Sequence, residues 1–416
     1  SIPLRFQKMQ IAMKPKFLSL VILLFFLTAV QAQLKEVQST QLDSLFTSWN
    51  KENHPGGAIG IMHAGKTIYS KAFGLASMEY QVPNTTETIF NTGSVSKQFT
   101  AMGIVVMHLQ GLLSVDDDIR KHLPDLPDFG HTITIRHMLH HTSGMRSLHA
   151  MLGLAGWRGD DSRTNEDLYR FMLNQKELNF TPGDEYLYCN TGYMLMSDII
   201  EKVSGDKFPD WMEENVFEPL GLNNTYVEDR YDRIVPNNAT SYYQRAGGFA
   251  RAVEYWGYVG SGNMHSTTSD LLKWLQNFST PKENWESAFE MLKTTDPLND
   301  GSINNYAFGV NVVNSNGYQR IHHGGSIGGF RAFVVTYPEE QLSIAVLTNF
   351  SIANPGQIAN RISGMLLQNK VSELTEDNET QTAIASIPMP AEPVSYTHLT
   401  LPTTLPRCRS RWSRGH

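Results

Sequence analysis

The chain is expected to adopt an α+β fold: one antiparallel β-sheet built from N- and C-terminal segments, flanked by helices, with a mostly helical lobe inserted between them. Two observations lead there. Strand patterns gather near both ends, while residues 94–285 alternate helical patterns with loops rich in Gly, Pro and Asn. With 416 residues and 41% hydrophobic content, the chain is also long enough to bury the core of a large two-lobed unit.

In order, the spacing predicts a first helix over 40–51, then strands over 57–63 and 67–73 joined by a turn at His63-Ala64-Gly65-Lys66. A helix over 94–109 follows, with Val95, Phe99, Met102, Val106 and Leu109 alternating at four and three residues and Gly111 standing where it would stop. Helical patterns recur at 165–174 and 193–203. Strand character returns at 318–323, 331–337 and 342–349, the last two joined by a turn at Pro338-Glu339-Glu340, and a closing amphipathic helix covers 356–368. A cleft between sheet and helical lobe is a natural ligand site.

The two ends read differently from the middle. Residues 1–32 read as leader and signal peptide: Met13-Lys14-Pro15-Lys16 precedes an apolar run over 17–30, and Val30-Gln31-Ala32 suits signal peptidase. The run is short for a bilayer, so no stable membrane span is expected after cleavage, and export to the periplasm or medium is. Residues 371–393 turn polar and read as a truncated linker; 394–416, beginning VSYTHLTLPTT, resemble a translated sequencing adapter. Residues 1–32 and 394–416 hold eight basic residues (Arg5, Lys8, Lys14, Lys16, Arg407, Arg409, Arg411, Arg414) and no acid, and without them 34 basic against 41 acidic residues become 26 against 41, a net of −15. Nucleic acid is therefore not an expected partner. Cys408 falls in that tail and Cys189 stands alone, so no disulfide is expected. Nothing in the sequence indicates an oligomeric state.

Candidate chemistry starts at Ser94. In a helix, residues three apart share a face, so Lys97 can reach the Ser94 hydroxyl, and a desolvated neutral lysine can serve as its base. The pattern S-x-x-K occurs four times, beginning at Ser48, Ser94, Ser204 and Ser279, and Ser94 alone opens a helix apolar enough to be buried. Tyr188-Cys189-Asn190 is the one Tyr-x-Asn in the chain. Its spacing points Tyr188 and Asn190 to one side, placing a proton relay beside an amide donor. His323-Gly324-Gly325 ends a predicted strand; glycines there let substrate backbone approach, and the following Ser326 can help form an oxyanion hole. Gly324-Gly325-Ser326-Ile327-Gly328 also matches G-x-S-x-G, which makes Ser326 a rival nucleophile, but that elbow requires a following helix and 330–337 reads as a strand. His137, His140 and His141 lack the H-E-x-x-H arrangement, so no metal and no cofactor is expected. Tyr242, Tyr243, Phe249, Tyr255, Trp256 and Tyr258 either line the cleft or pack loops.

Taken in order, Ser94/Lys97, Tyr188/Asn190 and His323/Gly325 resemble the motif set of the serine β-lactamase and penicillin-binding-protein superfamily, in its class C-like branch with D-peptidases and esterases. The resemblance spans roughly residues 42–367 and includes His141-Thr142-Ser143-Gly144 and Pro219-Leu220-Gly221-Leu222. It implies a β-lactamase/transpeptidase-like domain over 33–370. It implies Ser94 as nucleophile, Lys97 and Tyr188 as proton-transfer groups, and Asn190, His323, Gly325 and Ser326 as substrate and oxyanion contacts, acting on a small-molecule or peptide substrate. Where penicillin-active members carry a lysine that holds the substrate carboxylate, this chain has His323, and a largely neutral histidine anchors more weakly. The expectation is an exported serine hydrolase working through an acyl-enzyme on D-amino-acid peptides or carboxylic esters. The alternatives are a β-lactamase or penicillin-binding DD-peptidase, and a sensing domain that acylates without turnover.

Overall fold

The computed structural model describes residues 39–367. The expected signal peptide, linker and basic tail, and the last residue of the expected closing helix, lie outside the described residues. Six strands form the main sheet: β1 (Gly57–His63), β2 (Lys66–Phe73), β3 (Asn311–Ser315), β4 (Tyr318–Ile327), β5 (Phe330–Tyr337) and β6 (Leu342–Thr348). Their order is β3-β4-β5-β6-β1-β2, antiparallel throughout. The two ends of the chain meet where β1 pairs with β6, from Gly57 opposite Thr348 to His63 opposite Leu342. Ala64 and Gly65 both take positive φ, 47° and 73°, the backbone that a two-residue hairpin turn needs.

Both faces of this sheet are covered, which explains the nearly unbroken apolar run of β6, buried at every position. Ile59, Ile61, Val335, Ile344 and Val346 pack with Phe46, Trp49, Ala359 and Ile362 on one side. Ala58, Met62, Val334, Ala345 and Leu347 face the other way, into the core that contains Leu271, Leu272 and Trp274. Ile344 is fully buried in the first of these layers. Ile344→Ala should therefore cost about 2–5 kcal/mol, seen as a lower urea midpoint at unchanged slope; an unmoved midpoint would contradict this packing.

Helices that matter for the site are α1 (Lys97–Leu109), α2 (Leu148–Leu154), α3 (Asn165–Leu173), α4 (Asn190–Ser204), α5 (Thr268–Gln276) and α6 (Pro355–Leu366). Helix α1 is buried over ten of its residues, Lys97 to Val105 and Met107. It is tied to α5 by the Trp274 indole N–H donating to Gln98 Oε1 at 2.6 Å. No helix among the described residues is long and apolar enough to cross a membrane.

Several boundaries differ from expectation. The first helix runs only to residue 44 before loosening into turns, because Thr47, Ser48 and Asn50 are poor helix formers. Residues 93–96 form a 3₁₀ turn ahead of α1, held by Ser96 Oγ, which donates to Gly93 O at 2.6 Å and accepts from Met264 N at 3.1 Å. Helix α4 begins at Asn190, three residues before the expected start, with Cys189 extended as its cap. The strand expected to end at His323 continues as β4 through both glycines to Ile327, paired with β5 up to Phe330. The edge strand β3 was not anticipated. Nor was the short ladder of Phe90–Asn91, Met264–Ser266 and Tyr226–Val227, whose two- and three-residue strands carry no readable alternation.

Candidate active site

Ser94 sits in the 3₁₀ turn between two close backbone approaches. Gly93 has φ 54°, and a Cβ on it would lie 2.6 Å from Ser326 N; a Cβ on Gly325 would lie 1.9 Å from Thr92 O. Only bare backbone fits where the turn meets β4, and that contact brings the nucleophile turn against the main chain of Ser326. Gly325→Ala must push strand and turn apart. It should lower kcat/KM at least about 100-fold through misplacement alone, with the circular-dichroism spectrum retained; wild-type kinetics would show that the contact does not position the site.

Lys97 is fully buried at the head of α1. Its Nζ lies 3.1 Å from Ser94 Oγ and donates to Ser261 O at 2.7 Å. No carboxylate among the described residues pairs with it. Burial holds its pKa well below the ordinary lysine value, against a smaller opposing influence of Cys189. A neutral amine there can give one N–H to Ser261 O and turn its lone pair to the Ser94 hydroxyl. The rings of Tyr188 and Tyr193 stand 4.9 and 5.6 Å from Nζ.

Tyr188 lines a cavity with Ser94, and burial raises its pKa above the ordinary phenol value, with a smaller opposing influence of Ser94. It is a protonated phenol at neutral pH, suited to relaying a proton rather than to acting as phenolate. His141 positions it: the imidazole Nδ1 accepts from Cys189 N at 3.1 Å, and its ring lies 4.2 Å from that of Tyr188 at a tilt of 44°.

Two cavities open on Ser94. One, of about 280 Å³, is lined by Ser94, Asn190, Ser326, His149, Arg163, Trp256 and Tyr258 among others. The other, more open, is lined by Ser94, Tyr188, Tyr306, His323, Gly325 and Ser326 among others. All seven candidate site residues thus line these cavities or, for Lys97, support Ser94 from below. His323 differs from expectation in one respect. Its Nδ1 lies 2.6 Å from Gly324 O, which can only accept, so Nδ1 carries the proton and Nε2 accepts the Tyr306 hydroxyl at 2.9 Å. Burial above all pushes its pKa down to about 3. A neutral imidazole with both nitrogens engaged has little to offer a carboxylate.

Ser326 lies inside β4 of an antiparallel hairpin, not between a strand and a helix. Ser326→Ala should therefore keep covalent labelling by a fluorophosphonate; loss of label in that variant would move the nucleophile. The three histidines diverge: His137 caps its helix through Thr134 N, His140 faces Tyr306 O and Asp296, and His141 holds Cys189. Among the described residues no three His, Cys, Asp or Glu side chains are grouped to hold a metal. Of the aromatic segment, Trp256 and Tyr258 line the Ser94 cavity, whereas Tyr242 bonds Glu79 and Phe249 packs on His54 and Phe350. Ser261, Tyr306, His149 and Arg163 were not foreseen. Ser261 acts through its carbonyl, which no side-chain pattern reveals; the other three sit in loops or a short helix far from any motif.

The family model described as Beta-lactamase matches residues 33–366. Penicillin-binding protein 4* of Bacillus subtilis is 30% identical over 76% of this chain and 73% of its own length. A D-aminopeptidase of Gluconobacter oxydans is 26% identical over 71% of this chain, which spans only 56% of that relative. Among solved structures, an octameric penicillin-binding protein homologue from Pyrococcus abyssi superposes with a TM-score of 0.71 at 29% identity, covering 79% of this chain and 77% of that one. The α+β architecture with its antiparallel sheet is the β-lactamase/transpeptidase-like fold.

Proposed function

This chain belongs to the β-lactamase family of serine hydrolases, and from that premise we propose that it is an exported enzyme that cleaves ester or amide bonds of D-amino-acid peptides or carboxylic esters through an acyl-enzyme on Ser94. The observation that carries this reading is the fully buried Lys97, without an ion-pair partner among the described residues, 3.1 Å from Ser94 Oγ. Export rests on the leader-like residues 1–32.

In the proposed reaction Ser94 Oγ attacks the carbonyl while its proton passes to neutral Lys97. Backbone amides of Ser94 and Ser326 receive the developing oxyanion, and Asn190 donates to the acyl part of the substrate. Tyr188 relays that proton from Lys97 to the leaving group, and in the second step it takes one from the attacking water while passing its own phenol proton to neutral Lys97, which returns it to Ser94 Oγ as the acyl group leaves. Tyr188→Phe should lower kcat by about 10²–10⁴, with the acyl-enzyme accumulating as a burst if the second step suffers more. Unchanged kcat would remove Tyr188 from the mechanism.

The internally bonded His323 favours esters and D-amino-acid amides over β-lactams, whose carboxylate wants a cation. A penicillin-binding reading is supported by the 30% identity to penicillin-binding protein 4* of Bacillus subtilis. A rate panel separates them: a p-nitrophenyl ester, D-alanine p-nitroanilide and a chromogenic cephalosporin. The ester or the anilide should exceed the cephalosporin at least about tenfold in kcat/KM. A preferred cephalosporin would overturn the proposal, and stoichiometric acylation without turnover would replace it with a sensor.

A further inference from the structure

Arg163 is a buried cation without an anion. It is 8% exposed, and no carboxylate among the described residues pairs with it. One of its nitrogens, Nη2, donates to Arg158 O at 2.6 Å. Nε is buried with no hydrogen-bond partner. Besides that carbonyl, its charge is met by the face of Trp256, 5.3 Å away. Buried charges are normally paired, because an unpaired one forfeits most of its hydration.

The side chain is held where it is. Arg163 forms a bridge with Trp256: its N–H donates to Tyr255 O at 3.2 Å and its carbonyl accepts from Gly257 N at 2.8 Å. That bridge fixes the backbone, the Arg158 carbonyl and the Trp256 ring hold the side chain, and Arg163 lines the 280 Å³ cavity that also holds Ser94. His149 shares that wall, its pKa pushed down to about 4 by burial first, with the Arg163 charge acting in the same direction. The imidazole is therefore neutral at pH 7, and Arg163 is the cation of this wall.

The two cavities take different halves of the substrate. Tyr188, which returns the proton to the leaving group, lines the other cavity, whereas Asn190 lines this one. The Arg163 side is thus the acyl side. We infer that this cavity receives an acyl group bearing a carboxylate, and that Arg163 selects it. A guanidinium with donors left over and no carboxylate partner suits the oxygens of a carboxylate, and the aromatic walls of Trp256 and Tyr258 suit a short apolar chain between that carboxylate and the reacting carbonyl. The inference rests on the acyl-transfer reading of the same site.

Methylumbelliferyl monoesters of glutaric and adipic acid, each beside its methyl-capped neutral counterpart, test it. Wild type should favour the carboxylate form ten- to a hundredfold in kcat/KM for at least one chain length, the ratio expected for charge-assisted hydrogen bonds. In Arg163→Gln the ratio should fall to about one, and Arg163→Lys should keep part of the preference. A purely structural arginine would lower both esters together. A wild-type ratio of one, or a ratio untouched by Arg163→Gln, overturns the inference. Calorimetric titration with glutarate and adipate reads the same site without turnover. Binding weakened at least tenfold in Arg163→Gln supports the inference even if no ester is cleaved, in which case the hydrolase reading alone fails; equal binding, or none to either protein, overturns it.

Discussion

Ser94→Ala is expected to lower kcat/KM by roughly 10⁴–10⁶-fold and to abolish covalent labelling by a fluorophosphonate, with the melting temperature close to that of wild type. Ser94 provides the bond-forming atom, and no neighbouring group can replace it. Lys97 is an amine held as a base, Tyr188 a protonated phenol, and Ser326 lies within a strand rather than at a strand-to-helix turn. Because the Ser94 side chain is small and its turn is held by Ser96, its loss leaves the local structure in place. Retained turnover, with label found elsewhere, would require another nucleophile.

Lys97→Met should be nearly as damaging, lowering kcat about 10³–10⁴-fold, and it carries a stability signature that sets it apart from a packing defect. Burial lowers the folded-state pKa of Lys97 below its unfolded value near 10.4. Between those two values the unfolded chain binds a proton that the native protein does not, so this group makes stability rise with pH across that window. Methionine fills similar space without titrating. The melting temperature of wild type minus that of the variant should therefore shift in favour of wild type as pH increases from 6 to 9. The wild-type rate should also fall tenfold per pH unit below the native pKa of the amine. A Tm difference independent of pH, or activity retained in the variant, would contradict a neutral Lys97.

The central sheet was legible because β1, β5 and β6 are rich in Ile, Val and Ala and are buried on both faces. Edge strand β3, Asn-Val-Val-Asn-Ser, is only partly buried, and its polar ends conceal it. The extension of β4 through Gly324 and Gly325 escaped because glycine has little strand propensity of its own; its pairing with Phe333 and Ala332 overrides that. At the site, Ser94 and Lys97 were readable from their three-residue spacing, and Tyr188 and Asn190 from a motif that occurs once. The state of His323 was only half readable. Its neutrality follows from its residue type, whereas its engagement depends on Tyr306, seventeen residues earlier in an irregular segment. Arg163 had no sequence signal, since its isolation from carboxylates arises from a bridge to Trp256 far along the chain.

Acid-quenching the enzyme during turnover of a p-nitrophenyl ester, followed by peptide mass spectrometry, locates the acyl group directly. A mass shift confined to the peptide containing Ser94, enriched in Tyr188→Phe and absent in Ser94→Ala, is the predicted result. An acyl group on the Ser326 peptide, or turnover with no covalent adduct at any time point, would contradict an acyl-enzyme on Ser94.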